Sequence, residues 1–297
     1  GTVRAVFIGA VQFSKHMLIA LIKSGIDIVS VVTKAKSDFN ADFCDLSEIA
    51  IKNGIEYKYV ININHEKNVS YIREKEPDII FCLGWSQLLS DEILSIPRLG
   101  VIGYHPSLLP YNRGRHPIIW ALVLGLSKTG STFLKLNSNA DEGDIISQEV
   151  VRIDYADTAQ TLYEKLEMVA EKQLTEIIGY LSSGHSIPTK KQNVVEGNVW
   201  RKRTKEDGKI DWRMSSYSIY NLVRALDKPY PGAYTVIRGT ETKIWKVEEI
   251  KNNKKNIEPG KVLDILFDGS VIIKAGSNAI KVIDPRLGDY LAKGDYL

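Results

Sequence analysis

The first hundred residues alternate short apolar runs with amphipathic stretches, and this rhythm limits the fold more than any other feature of the chain. VRAVFIGA, IDIVSVVT, YKYV, DIIFCLG and LGVIGY read as strands, four to eight residues long. Between them lie SKHMLIALIKSG, DFCDLSEIAIKNG, HEKNVSYIREKE and SDEILSI, which carry helical periodicity and plausible stops at Gly25, Gly54, Pro77 and Pro97. Ser14 is placed to cap the first helix. Strand and helix in strict turn predict an α/β fold built on a Rossmann-like parallel sheet.

The second half changes character. TGSTFLKL and IISQEVVRI add two strands, and a long amphipathic helix is predicted from Thr158 to about Ser183. A polar, basic stretch then breaks the regularity. After it, one helix (SSYSIYNLVRAL) precedes short β-like runs separated by Gly, Asn and Asp turns. We read residues 1–185 as one domain, 186–212 as a linker and 213–297 as a small β-rich domain. An edge strand of that domain could pair two chains as a homodimer.

Composition serves mainly to exclude. A net charge of +3 on 297 residues does not suggest a large nucleic-acid face. Cys44 and Cys82 form no CxxC pair and read as reduced thiols of a cytoplasmic protein. No run is apolar enough to span a bilayer, so no membrane partner is expected. Five histidines without HxxxH spacing or clustered acids predict no metal site. The first strand–helix turn, GAVQFS, is not GxGxxG, and neither a P-loop nor a GxSxG elbow occurs.

Chemistry concentrates in GYHPSLLPYNRGRHPIIWALVLG. His105 follows a strand and precedes Pro106, at the kind of strand end where open α/β sheets bind ligands. It is either a structural histidine or a proton donor whose aim Pro106 and Pro110 stiffen. His116 is either a helix-start residue or a polar site group. Arg113 and Arg115 are either solvated arginines or a phosphate clamp. Asp141, in NADEGDII, is either a turn residue or the partner that orients His105.

HPSLLPYNRGRHPIIWALVLGLSKTGSTFLKLNSNADEGDIISQ resembles the signature region of the formyltransferases that use N10-formyltetrahydrofolate. RKRTKEDGKIDWRMSSYSIYNLVRALDKPYPGAYT resembles the region that follows the catalytic domain in the methionyl-tRNA and nucleotide-sugar members. The histidine of the pattern falls on His105 and its aspartate on Asp141. The asparagine two positions before the histidine falls on Gly103, a departure that removes a side chain used to hold the formyl oxygen. A backbone N–H, a water, Asn137 or Asn139 would replace it, or His105 would carry most of the oxyanion stabilisation, or the chain would be a weak catalyst.

The resemblance implies an N-formyltransferase, with residues 1–185 as its catalytic formyltransferase domain and 213–297 as a small OB-like C-terminal domain. His105 would donate to the oxyanion and Asp141 would support the histidine and help carry the proton from the attacking amine. N10-formyltetrahydrofolate is the implied co-substrate. Trp85 and Leu88, in GWSQLLSDEIL, and Asn139 are the candidates to hold it, with ordinary packing as the other reading of Trp85 and Leu88. Arg113, Arg115, His116, Trp212, Arg224 and Tyr230 are the candidates for the acceptor. GYHPSLLPYNRGRHP resembles the sugar-directed branch, so the leading expectation is a nucleotide-linked deoxyamino sugar (UDP- or dTDP-linked, of the pseudaminic-acid type), with nucleic acid not expected. The alternatives are methionyl-tRNA formylation, a non-catalytic folate- or nucleotide-binding module, and hydrolysis of the formyl donor.

Overall fold

A computed structural model describes residues 2–297. The chain divides into two units. One takes in residues 1–117, 128–152 and 164–201, and the other residues 118–127, 153–163 and 202–297.

The first unit is built on one sheet. Its strands are β1 (Arg4–Ile8), β2 (Asp27–Thr33), β3 (Tyr57–Tyr59), β4 (Ile79–Cys82) and β5 (Val101–His105), followed beyond the short β6 (Arg113–Gly114) by β7 (Lys128–Lys135) and β8 (Ile145–Arg152), in the order β3-β2-β1-β4-β5-β7-β8. β1 and β4 lie at the centre. Ala5, Val6, Phe7 and Ile8, with Ile79, Ile80 and Phe81, have no exposed surface. Burial on both faces explains why these strands read as unbroken apolar runs. Each such large side chain contributes roughly 1.5–3 kcal/mol by leaving water.

The five N-terminal strands pair in parallel, as the alternation predicts. β7 pairs antiparallel with β5 and with β8, so the sheet is mixed rather than wholly parallel. β8 is the edge strand, and its adjacent Glu149 and Val150, which point to opposite faces, are both exposed; large α/β sheets commonly carry antiparallel strands at one edge.

The helices of this unit include α1 (Gln12–Lys23), α2 (Ser47–Lys52), α3 (Glu66–Glu74) and α4 (Asp91–Ser95). α1 starts earlier than its sequence suggests. Ser14 is the third helical residue, and its hydroxyl accepts from the Val11 N–H at 3.2 Å while donating to the Leu83 carbonyl at 2.6 Å. It therefore pins the helix start to the end of β4 rather than acting as the N-cap.

α5 (Pro117–Val123) and α6 (Ala159–Ser183) follow. A short strand β9 (Val199–Trp200) pairs in parallel with β6, as Arg113↔Val199 and Gly114↔Trp200.

In the second unit, α7 (Ser216–Ala225) is followed by β10 (Ala233–Ile237), β11 (Thr240–Ile244), β12 (Val247–Ile250), β13 (Val262–Ile265), β14 (Val271–Lys274) and β15 (Ala279–Val282). β10 and β11 form a hairpin whose two turn residues, Arg238 and Gly239, have φ of 49° and 77°, the sign that matches strand twist in two-residue hairpins. The last four strands form an antiparallel sheet in the order β12-β15-β14-β13. α7 buries Ile219, Leu222 and Val223. Among the described residues no helix is long and apolar enough to cross a membrane.

Candidate active site

The carboxyl ends of β4 and β5 open onto a cavity of about 450 Å³. Its wall includes Cys82, Gly84–Leu89, Gly103–His105, Gly114–His116, Leu136, Asn137 and Asn139–Asp141. This is where an open α/β sheet exposes backbone groups and side chains to a ligand.

His105 closes β5, and its side chain is 6% exposed. Nε2 lies 2.8 Å from the carbonyl oxygen of Asn112, and Nδ1 lies 3.4 Å from Asp141 Oδ1. A carbonyl oxygen only accepts, so Nε2 carries a hydrogen and donates it. Nδ1 then faces a carboxylate, and each ring nitrogen of an imidazolium would have an acceptor. Asp141 is fixed in turn: its Oδ2 accepts from the Gly114 N–H at 3.1 Å, and its carbonyl accepts from Gln192 Nε2 at 2.9 Å.

Backbone strain gathers at the same place. Asn112, His116 and Asp141 have φ of 62°, 55° and 59°. Left-handed backbone in non-glycine residues costs of order 1–3 kcal/mol each and persists where the surroundings hold it. Here His116 and Asp141 line the cavity, and the carbonyl of Asn112 accepts from His105 on its wall.

Gly103 is filled from outside. A Cβ on it would lie 2.7 Å from Leu136 Cγ and closer still to Cδ2. Leu136 thus occupies the space that a longer residue at 103 would need. Asn137 and Asn139 line the cavity; Asn137 Oδ1 accepts from the Asn139 N–H at 2.9 Å.

The loop after β4 is held from its outer side. The Ile63 N–H donates to Gln87 Oε1 at 3.0 Å, Asn64 Nδ2 donates to the Leu88 carbonyl at 2.8 Å, and the Ser90 N–H donates to Asn64 Oδ1 at 2.8 Å. Trp85 Nε1 is buried on this loop without a hydrogen-bond partner, and Leu88 is exposed. A buried indole N–H left unpaired costs free energy until something accepts from it, which suits a wall that receives a polar heterocycle. Among the described residues no group of three or more His, Cys, Asp or Glu side chains is placed to hold a metal.

The structure brings His105, Asp141, Trp85, Leu88, Asn139, Arg115 and His116 to this one cavity. It corrects the expectation for Arg113. That guanidinium donates to the Pro110 carbonyl at 3.2 Å, Glu142 at 2.8 Å and the Val194 carbonyl at 3.2 Å. It staples the loop and is spent on its own chain, whereas Arg115 is exposed.

Trp212 and Arg224 are corrected too. Both are buried in the second unit. The Trp212 indole donates to Thr235 Oγ1, and Arg224 donates to Asn221 and to the carbonyls of Asp154, Tyr155 and Asp157. They hold that unit together and do not line the cavity that holds His105 and Asp141. Tyr230 is half-buried in the same unit and does not line the cavity.

Sequence reasoning missed Asn112, Leu136, Gln192 and Asn198. Each acts through contacts to residues remote in the chain; Asn112, Gln192 and Asn198 carry no local signature beyond an amide side chain in a loop, and Leu136 none beyond an apolar residue at a strand end.

Residues 3–178 match the formyl transferase family, and residues 202–289 match the C-terminal domain of formyl transferases. The chain belongs to the formyl transferase family. It is 34% identical over 286 residues to the methionyl-tRNA formyltransferase of Caldanaerobacter subterraneus subsp. tengcongensis, covering 95% of this chain and 91% of that protein. It is 34% identical over 291 residues to the methionyl-tRNA formyltransferase of Halothermothrix orenii, covering 95% and 92%. Among solved structures, the N-formyltransferase of Helicobacter canadensis in complex with folinic acid and dTDP-3-aminofucose superposes with a TM-score of 0.68 at 19% identity, over 95% of this chain and 99% of that one. At that identity the likeness is one of fold.

These relatives overturn the nucleotide-sugar acceptor expected from the signature region. The near full-length sequence relatives are methionyl-tRNA enzymes, and the sugar enzyme shares only the architecture. The expectation of no nucleic-acid partner loses its basis with it.

Proposed function

We propose that this chain formylates the amine of methionyl-tRNA in the cytoplasm. The enzyme is a formyltransferase with N10-formyltetrahydrofolate as co-substrate. When bound, that co-substrate supplies the formyl carbon. The observation that supports the acceptor is the 34% identity, over 95% of the chain, to two methionyl-tRNA formyltransferases. The chemistry rests on the His105–Asp141 pair on the cavity wall.

Trp85, Leu88 and Asn139 are suited to hold the co-substrate, with the orphan indole N–H of Trp85 as a specific donor. The His105 ring, anchored through Nε2, keeps a fixed edge toward Asp141 and the cavity. A protonated ring there stabilises negative charge that develops on a carbonyl oxygen. Asp141 holds the ring's orientation and is placed to take the proton that the attacking amine loses and pass it to the departing folate nitrogen. Gly103 contributes no side-chain amide, so this chain leans on the histidine more than a family member with asparagine at that position would.

Purified protein would be given the formyl donor with methionyl-tRNA, with a nucleotide-linked amino sugar, and with no acceptor. Turnover on methionyl-tRNA that weakens as salt rises, as phosphate contacts require, is the expected result. His105→Ala should slow it by ~10²–10³-fold, as loss of one oxyanion donor does. Turnover on another amine with none on methionyl-tRNA would overturn the acceptor assignment, and deformylation without any acceptor would overturn the transfer reaction.

A further inference from the structure

Residues 190–200 look in sequence like a plain connector. In the structure they are hydrogen-bonded at both ends to the elements that carry the catalytic pair. The Lys190 backbone exchanges hydrogen bonds with Ile145, at the start of β8, at 2.7 and 2.8 Å. Trp200 accepts from the Arg115 N–H at 3.1 Å. The contacts between these ends reach both His105 and Asp141.

We propose that this segment is a positioning strap for the catalytic pair, with Asn198 setting His105 through Asn112 and Gln192 setting Asp141. The proposal rests on the reading of His105 and Asp141 as the reacting pair.

The first arm runs through Asn198. Its Oδ1 accepts from the Asn112 N–H at 2.9 Å, its Nδ2 donates to Asn112 Oδ1 at 3.1 Å, and its carbonyl accepts from the Arg113 N–H at 3.0 Å. One asparagine thus grips another at both side chain and backbone. The gripped residue is in the left-handed conformation, with φ of 62°. Its carbonyl is the acceptor for His105 Nε2 at 2.8 Å. If Asn112 relaxes, that carbonyl turns and the histidine loses the contact that fixes its tautomer and ring plane. Asn198 makes no hydrogen bond to His105 and is not among the residues that line the cavity, so its side chain acts on the histidine through Asn112.

The second arm runs through Gln192. Its Nε2 donates to the carbonyls of Asp141, at 2.9 Å, and Gly143, at 2.6 Å. Asp141 also has left-handed backbone, with φ of 59°, and needs an external hold of this kind.

The strap and the catalytic loop also meet too closely for side chains. A Cβ on Gly114 would overlap the Trp200 carbonyl, and one on Gly197 would overlap the Pro110 carbonyl. The Gly114 N–H, whose position this approach sets, donates to Asp141 Oδ2. Strap, loop and aspartate are one hydrogen-bonded unit.

The test uses the full chain, methionyl-tRNA and N10-formyltetrahydrofolate, with Asn198→Ala, Asn198→Asp, Gln192→Ala and His105→Ala. Steady-state kinetics, thermal melting and 15N-histidine NMR are recorded for each. Asn198→Ala should lower kcat by about 10- to 100-fold, the cost of sub-ångström to ångström misplacement of a reacting group. KM for the formyl donor should stay within about twofold, because the folate wall is untouched. The His105 Nε2 resonance, identified by its loss in His105→Ala, should shift.

Asn198→Asp retains the acceptor for the Asn112 N–H and should recover a large part of kcat. Gln192→Ala should lower kcat by about tenfold and move the His105 resonance less. A lowered melting temperature with kcat and the His105 resonance unchanged in all three strap variants would make the strap merely structural and overturn the proposal. If His105→Ala itself retains activity, the reading of the pair has failed, and that outcome is distinct from failure of the strap alone.

Discussion

The centre of the sheet and the loops above its carboxyl ends follow opposite rules. β1 and β4 are apolar, regular and dry, and the backbone there needs nothing beyond the ladder. Around His105 the chain is polar, three non-glycine residues sit in left-handed backbone, and side chains from remote loops supply hydrogen bonds that hold two of them, Asn112 and Asp141. The difference teaches that burial in the strands supplies the stability against which a strained, specific arrangement can be held. Stability and chemistry are therefore separable by substitution.

The largest break should come from the centre. Phe81→Ala removes a side chain with no exposed surface and should destabilise the protein by ~3–5 kcal/mol, read by urea unfolding, while whatever remains folded keeps its kcat. His105→Ala and Asp141→Asn should do the reverse. Asp141→Asn keeps the size of the side chain but removes its charge and basicity, and a loss of ~10²–10⁴-fold in kcat is expected with a melting temperature far closer to the parent than that of Phe81→Ala. If both variants melt as early as Phe81→Ala, the two regions are not separable.

Gly103→Asn sharpens the comparison, because it sits on the boundary between them. A new side chain there collides with Leu136 and should cost ~1–3 kcal/mol by overpacking, with no gain in rate. Adding Leu136→Ala should recover most of that stability, as measured by a double-mutant cycle. Full stability in the single variant would show that Leu136 moves away freely.

The smallest effect is one of pH. Burial pushes the Cys82 thiol up to about 12 from 9.0. Between those values the unfolded chain releases a proton that the folded chain keeps. The contribution of the thiol is therefore complete below pH 9 and is lost as pH rises through the interval. Cys82→Ala should flatten the alkaline fall in unfolding free energy between pH 9 and 10.5 relative to the parent. An unchanged slope would place the origin of that fall elsewhere, for example in Tyr71, which burial pushes up to about 12 as well.

Much of this molecule was legible in the chain. α6 covers Ala159–Ser183, almost the span its periodicity predicts, because a long amphipathic helix is specified by its own residues. β1, β4 and β5 were legible for the same reason. His105 and Asp141 stood out through a signature whose spacing encodes the fold. The antiparallel turn of β7 and β8 was not visible, since an apolar run does not state its direction. Nor was the split between arginines: Arg113, Arg115 and Arg224 look alike as residues, yet Arg113 and Arg224 are consumed by carbonyls and carboxylates of their own unit and Arg115 is exposed.

Local order, the apolar periodicities and the chemistry-bearing types at positions 105 and 141 are properties of the sequence by itself, because each depends on residues a few positions apart. Which side chains hold the catalytic pair was decided only by tertiary structure. Asn198 is paired with Asn112 and Gln192 with Asp141 across long stretches of chain, and hydrogen bonds between remote loops leave no periodic trace. Leu136 filling the space beside Gly103 belongs to the same class, since packing is a property of what meets in space.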